Sequence, residues 1–159
     1  MPSTPLKLPA LDPAGVKAVE GSTYPDAFKP RVAGRAKRRL GDALGLKNFG
    51  VNLTTIKPGA HTALRHWHSR EDEFIYMLSG ELVLVTGAGE QLLTTGMCAG
   101  FPAGKADGHC LVNRTGKDAV YLEVGDRRTD DAVTYPDDDM LAIATPQGRR
   151  FTRRDGTPY

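Results

Sequence analysis

The sequence predicts an all-β fold, a barrel or sandwich of short strands with an arm before it and an extension after it. Three observations lead there. Between residues 48 and 125, apolar runs of about five residues succeed one another without helical periodicity. Turn signals separate these runs, and the chain holds 18 Gly and 11 Pro among its 159 residues. That length fits one domain able to bury roughly two-thirds of its unfolded surface.

The elements follow in chain order. Residues 1–47 are expected to form an arm. Its first thirty positions carry Pro2, Pro5, Pro9, Pro13, Pro25 and Pro30, and little regular structure is expected of them. A basic cluster comes next: Arg31, Arg35, Lys37, Arg38 and Arg39. It reads as a solvated or interface-facing segment, because no aromatic residues interleave with the charges. The barrel is expected over 48–125. NFGVNLTTIK ends at Pro58-Gly59, EFIYML at Ser79-Gly80, and ELVLVT at Gly87-Ala88-Gly89. EQLLT precedes Gly96, MCAGF meets Pro102, HCLVN meets Arg114-Thr115-Gly116, and DAVYLEV ends at Gly125. Residues 126–159 turn acidic and then basic. They read as an extension with one short helix around DDDMLAIA.

Several function classes fall away. A net charge of +2 points to no nucleic acid. No stretch reaches the ~20 apolar residues of a membrane span, and the first fifteen residues lack the apolar core of a secretory signal. Cys98 and Cys110 make no disulfide framework, so two free thiols and a cytoplasmic location are expected.

The chemistry concentrates in PGAHTALRHWHSREDEFIYMLSGE. In an extended chain, His66 and His68 point to one face roughly 6.5 Å apart, and Trp67 points away. Glu73 opens the next strand, where an antiparallel neighbour can bring its carboxylate beside both imidazoles. Two His and one carboxylate on one side of an ion is the arrangement of non-haem iron sites. Glu73 is preferred over Glu71 and Asp72 because sheet pairing fixes it and its parity matches Ile75 and Met77. Glu71 and Asp72 read as a solvated turn. His109 follows the tight turn at Pro102 and Gly104, sharing a face with Leu111 and Asn113. A single His there is ordinarily a satisfied core residue, but its place after the first cluster makes it the fourth candidate ligand.

Other residues carry smaller expectations. His61, with Glu73, is a candidate catalytic group at the barrel mouth. Arg65, Lys105 and Asp107 are candidates for orienting an anionic or hydroxylated substrate. Trp67 and Tyr76 read as core or interface aromatics, and Cys110 should face away from His109. Tyr121 and Glu123 share a face that either lines the pocket or meets solvent.

These residues spell a resemblance. Gly59 to Gly80 resembles the first cupin motif: Gly, His-x-His, four residues, Glu, six residues, Gly. Six rather than five residues separate Gly59 from His66. Gly96 to Asn113 resembles the second motif: Gly, five residues, Pro-x-Gly, His, three residues, Asn. Four residues stand between Gly104 and His109, where the family usually has two. The resemblance implies a double-stranded β-helix, or jelly roll, with one divalent metal (Mn, Fe, Ni or Zn) at the barrel mouth. His66, His68, Glu73 and His109 would be its ligands. It also implies a homodimer, which the proline-rich arms, an outward Trp67 and open sheet edges favour too. The small stand-alone cupins that this chain resembles include some labelled sugar-phosphate isomerases. The leading expectation is therefore a metalloenzyme acting on a small polar metabolite such as a sugar or sugar phosphate. A metal dioxygenase and a sensory module without turnover are the alternatives. Residues 1–47 lack the apolar periodicity of a helix-turn-helix, which favours an enzyme over a regulator.

Overall fold

The computed structural model describes residues 6–159, so the first five positions of the expected arm, Pro2 and Pro5 among them, lie outside the described residues. Thirteen strands run through these residues. The arm supplies β1 (Ala18–Glu20) and β2 (Arg35–Arg39), followed by a one-turn helix, α1 (Leu40–Ala43). The central region supplies β3 (Phe49–Ile56), β4 (Trp67–His68), β5 (Glu73–Ser79), β6 (Glu81–Thr86) and β7 (Gly89–Thr94). It continues with β8 (Cys98–Phe101), β9 (Cys110–Val112) and β10 (Ala119–Asp126). The extension supplies β11 (Ala132–Tyr135), β12 (Met140–Thr145) and β13 (Gly148–Thr152).

Every strand pairing is antiparallel. One sheet runs β1-β2-β3-β10-β5-β8, a second β7-β6-β9 and a third β13-β12-β11-β4. The chain is all-β, as its short, turn-bounded strands predict, and folds as the jelly roll that the cupin resemblance implies. Period-2 alternation builds the barrel interior. Ile56, Ile75, Met77, Leu82, Leu84, Leu93, Leu111 and Tyr121 meet in one core between the sheets. Each such side chain contributes about 1.5–3 kcal/mol on leaving water.

Two expectations about the ends are corrected. The arm is more regular than its prolines suggest, because β1 and β2 extend the large sheet beyond β3. Nor is the basic cluster a solvated face throughout: in β2, Arg35 and Lys37 are half-buried on the side toward the barrel interior. The expected helix at DDDMLAIA is a strand instead. Met140 and Ala142 are fully buried while Leu141 and Ile143 are not, a period of two, and β12 is paired on both sides by β11 and β13. Asp137 to Asp139 form the turn before it.

Arm and extension share a second core. Tyr24 and Val32 from the arm pack with Leu64, Val133, Tyr135, Met140 and Ala142. Tyr24 sits edge-on to Tyr135 and to Phe151. This cluster packs the described part of the arm against the extension and Leu64.

Candidate metal centre and cavity

The four residues singled out by spacing come together. The backbones of His66 and His109 form an isolated antiparallel bridge, with N–H to O distances of 3.1 and 2.9 Å. His68 lies two residues on in β4, and Glu73 opens β5 opposite Phe101 and Gly125. The longer loop before His109 is tied down where Asp107 accepts a hydrogen bond from the Gly87 backbone at 2.7 Å. The extra residues therefore leave the His109 register intact.

Three imidazole nitrogens converge on a single oxygen. Nε2 of His66, His68 and His109 lie 3.4, 3.4 and 3.0 Å from Glu73 Oε2. That oxygen is buried and has no hydrogen-bond partner of good geometry. A buried acceptor ringed by three further lone-pair donors is costly unless a cation joins them. The donor set of three imidazoles and one carboxylate suits a divalent transition ion, and the residues fit the metal that such a barrel implies. Burial works against ionisation of Glu73, but the imidazoles of His109, His66 and His68 outweigh it and hold the carboxyl well below its usual range.

Each imidazole has its own support. His66 Nδ1 lies 2.8 Å from the Leu64 carbonyl, which can only accept, so the ring hydrogen sits there and Nε2 presents its lone pair to the centre. His68 Nδ1 lies 2.7 Å from Asp131 Oδ2. Burial lowers the His68 pKa, but the Asp131 hydrogen bond and the Glu73 charge prevail and raise it. His109 stacks flat on Phe101 with ring centroids 3.5 Å apart, and burial pushes its pKa down, keeping the ring neutral.

Asp131 is the residue that sequence reasoning missed. It is 2% exposed, and its Oδ1 accepts from the Arg70 backbone at 3.0 Å. Glu71 is a correction as well. Far from a solvated turn, its side chain is largely buried, lies 3.4 Å from His68 and pairs with Arg149 at 3.1 Å. His68, Glu71 and Asp131 are spaced closely enough to hold an ion of their own. The Arg149 guanidinium already supplies positive charge there, 3.7 Å from Asp131.

The four central residues line a cavity of about 260 Å³ whose wall also includes Arg35, Lys37, Tyr121, Glu123 and Arg149. Lys37 Nζ bonds Glu123 Oε1 at 2.6 Å, Asn52 donates to the same oxygen at 3.2 Å, and the Tyr121 hydroxyl donates to Oε2 at 3.2 Å. The question left open for Tyr121 and Glu123 thus resolves toward the pocket. Burial opposes the Glu123 charge, but Lys37 wins and lowers the carboxyl pKa. Although Glu123 is deeply surrounded by the chain, a fifth of its side-chain surface remains open toward the cavity.

Other expected residues land elsewhere. His61 pairs with Val112 through its backbone and does not line this cavity. Arg65 makes a two-pronged ion pair with Asp137, at 2.7 and 2.6 Å. Lys105, Asp107 and Trp67 line a second cavity of about 330 Å³, which meets the first at His68, Glu73, Phe101 and His109. Cys110 is buried, and its thiol is pushed up to about 11 by burial. Tyr76 is 40% exposed on the outer face of β5.

Comparison with known proteins identifies the family and the fold. Residues 52–125 match the family model described as a cupin domain. The chain is similar to a sugar phosphate isomerase from a cupin superfamily of Silicibacter pomeroyi, with 44% identity and a TM-score of 0.92 over 95% of this chain and 96% of that one. A candidate sugar phosphate isomerase from Acidithiobacillus ferrooxidans is 28% identical, with a TM-score of 0.75 and 83% of each chain covered. A polyketide cyclase from Streptomyces resistomycificus, 22% identical with a TM-score of 0.62 over 74% of this chain and 78% of that one, shares the fold alone. No curated protein matches the chain.

Proposed function

Because this chain belongs to the cupin superfamily, we propose that it is a metal-dependent enzyme that isomerises a sugar or sugar phosphate. The observation behind this reading is the convergence of three imidazoles on the Glu73 carboxylate in the wall of a cavity that also holds the Lys37–Glu123 pair. The names of the two relatives above point the same way. His66, His68, His109 and Glu73 would hold one divalent ion per chain, drawn from Mn, Fe, Ni and Zn. Such an ion acts as a Lewis acid toward a carbonyl or hydroxyl oxygen of the substrate.

The chain's own groups supply the rest. Glu123 Oε2 is the base we assign to moving a proton between neighbouring carbons. Lys37 keeps that carboxylate ionised at neutral pH, and Tyr121 orients it. The second core, by closing arm and extension over the mouth, restricts water. His61, expected as a base, lies outside the cavity and has no part in this scheme. The reading includes a homodimer and a cytoplasmic location.

A panel of aldose and ketose phosphates, tried with each metal in turn, tests the proposal. Turnover should vanish together with the metal in Glu73→Ala. In Glu123→Gln it should vanish with metal content unchanged. Tight binding of such compounds without conversion under any metal would favour a sensory module instead.

A further inference from the structure

We infer that Arg35, together with Ser22 and Thr23 of the arm, forms a phosphate-binding subsite in the wall of the metal cavity. This rests on the reading just given, since it assigns the end of the substrate that carries the phosphate.

Three cations line the cavity, and two of them already have carboxylate partners. Lys37 pairs with Glu123, and Arg149 with Glu71. Arg35 has no acidic partner among the described residues. Its guanidinium is held instead by neutral carbonyls: Nη1 donates to Thr62 at 2.5 Å and Nη2 to Gly21 at 3.1 Å. Those bonds fix the group without neutralising it. Its Nε is buried and has no hydrogen-bond partner. The Ser22 hydroxyl, in the same cavity wall, is also buried and unpartnered. An oriented guanidinium without an ion-pair partner, in the same wall as an idle hydroxyl, is an expensive arrangement in a folded chain.

A tetrahedral oxyanion in the cavity supplies the counter-charge that the guanidinium lacks as an ion-pair partner. Guanidinium N–H groups and hydroxyls are its customary donors, and the charge-assisted bonds are the stronger kind. Thr23 adds a second hydroxyl from the arm. These residues stand outside the 52–125 region that matches the family model. Selection for phosphate would therefore be a property of the arm rather than of the barrel.

Calorimetric titration of the metal-loaded full chain with inorganic phosphate, and separately with acetate, tests the assignment. Phosphate should bind, and Arg35→Gln should weaken it by about tenfold or more. Ser22→Ala, which removes no structural bond, should weaken it by a smaller factor, and it decides the matter if Arg35→Gln does not fold. His66→Ala combined with His68→Ala should lose metal yet keep phosphate binding. Unchanged phosphate affinity in Ser22→Ala and Arg35→Gln would overturn the subsite. So would loss of phosphate in the double histidine variant alone, or acetate binding where phosphate does not. Phosphate held through Arg35 with no turnover of any sugar phosphate would leave the subsite standing and remove the proposed reaction.

Discussion

At the scale of single residues, the candidate centre depends on groups that never touch its middle. Asp131 holds His68 by Nδ1 and is itself held by the Arg70 backbone and the Ser69 hydroxyl. Partners of this kind fix the ring and raise its basicity, and their loss typically costs about 10–100-fold in metal affinity. Asp131→Asn should therefore fold but release metal to a competing chelator within that range. Retention equal to the parent would reduce Asp131 to a packing role. The Lys37–Glu123 pair gives a second residue-scale prediction. The folded pKa of Glu123 is lowered, so its contribution to stability is present above the ordinary carboxyl range near 4.3 and is lost as pH falls through the lower folded value. Lys37→Met removes the cation hydrogen-bonded to this largely buried carboxylate, at a cost of about 3 kcal/mol at pH 7. Burial then raises the Glu123 pKa, so the deficit should shrink as pH falls toward 4.5, where the carboxyl can protonate. Urea unfolding of parent and variant at both pH values checks this, and an equal deficit at each would contradict it. The sequence displayed His66, His68 and Glu73 because their spacing lies within two strands and one turn, and His109 through its place in the second motif. It hid Asp131, which comes more than fifty positions after Glu73 and reaches His68 only through the pairing of β11 with β4.

At the scale of elements, the two motif glycines that close strands are not equivalent. Gly80 has φ near +75°, and a Cβ there would lie 2.8 Å from the Asp118 carbonyl oxygen and 2.9 Å from Ala119 Cα, both backbone atoms that cannot step aside. Gly96 has φ near +87° but open space around the same position. Gly96→Ala should cost only the left-handed strain, roughly 1 kcal/mol. Gly80→Ala adds a steric clash and should cost at least about 2 kcal/mol. Thermal or urea unfolding separates the two, and equal losses would refute the contrast. Both glycines were legible as turn signals, but only the packing of Ala119 tells them apart. The misread strand β12 has a related cause. Six residues with four aliphatic side chains look alike as helix or strand. The choice was made by β11 and β13 on either side, which no local pattern announces. In β2 the alternation of Arg35 and Lys37 was visible, yet a strand of basic residues reads as solvated until a cavity is found beneath it.

At the scale of the whole molecule, the large sheet leaves one face to explain. Along β5, Ile75 and Met77 are buried inside, while Phe74, Tyr76 and Leu78 each stand about two-fifths exposed outside. Neighbouring strands continue the outer stripe: Leu122 lies between Tyr76 and Leu53, and Val124 between Phe74 and Val51. Met97, 46% exposed, sits beside the same strand. An apolar stripe across three adjacent strands is more than the scattered single residues that a monomer tolerates. The expected dimer thus rests on this face rather than on Trp67, which lines the second cavity. A twofold axis through the stripe would set it against its own copy, the self-complementary contact of an isologous dimer. The face lies on the far side of β5 from Glu73, so assembly and metal binding are separable. Light scattering at micromolar concentration should give twice the 17.2 kDa chain mass. Tyr76→Glu should give the mass of one chain with metal content unchanged. A parent that scatters as one chain would remove the dimer, and a Tyr76→Glu variant that still scatters as two would move the interface elsewhere.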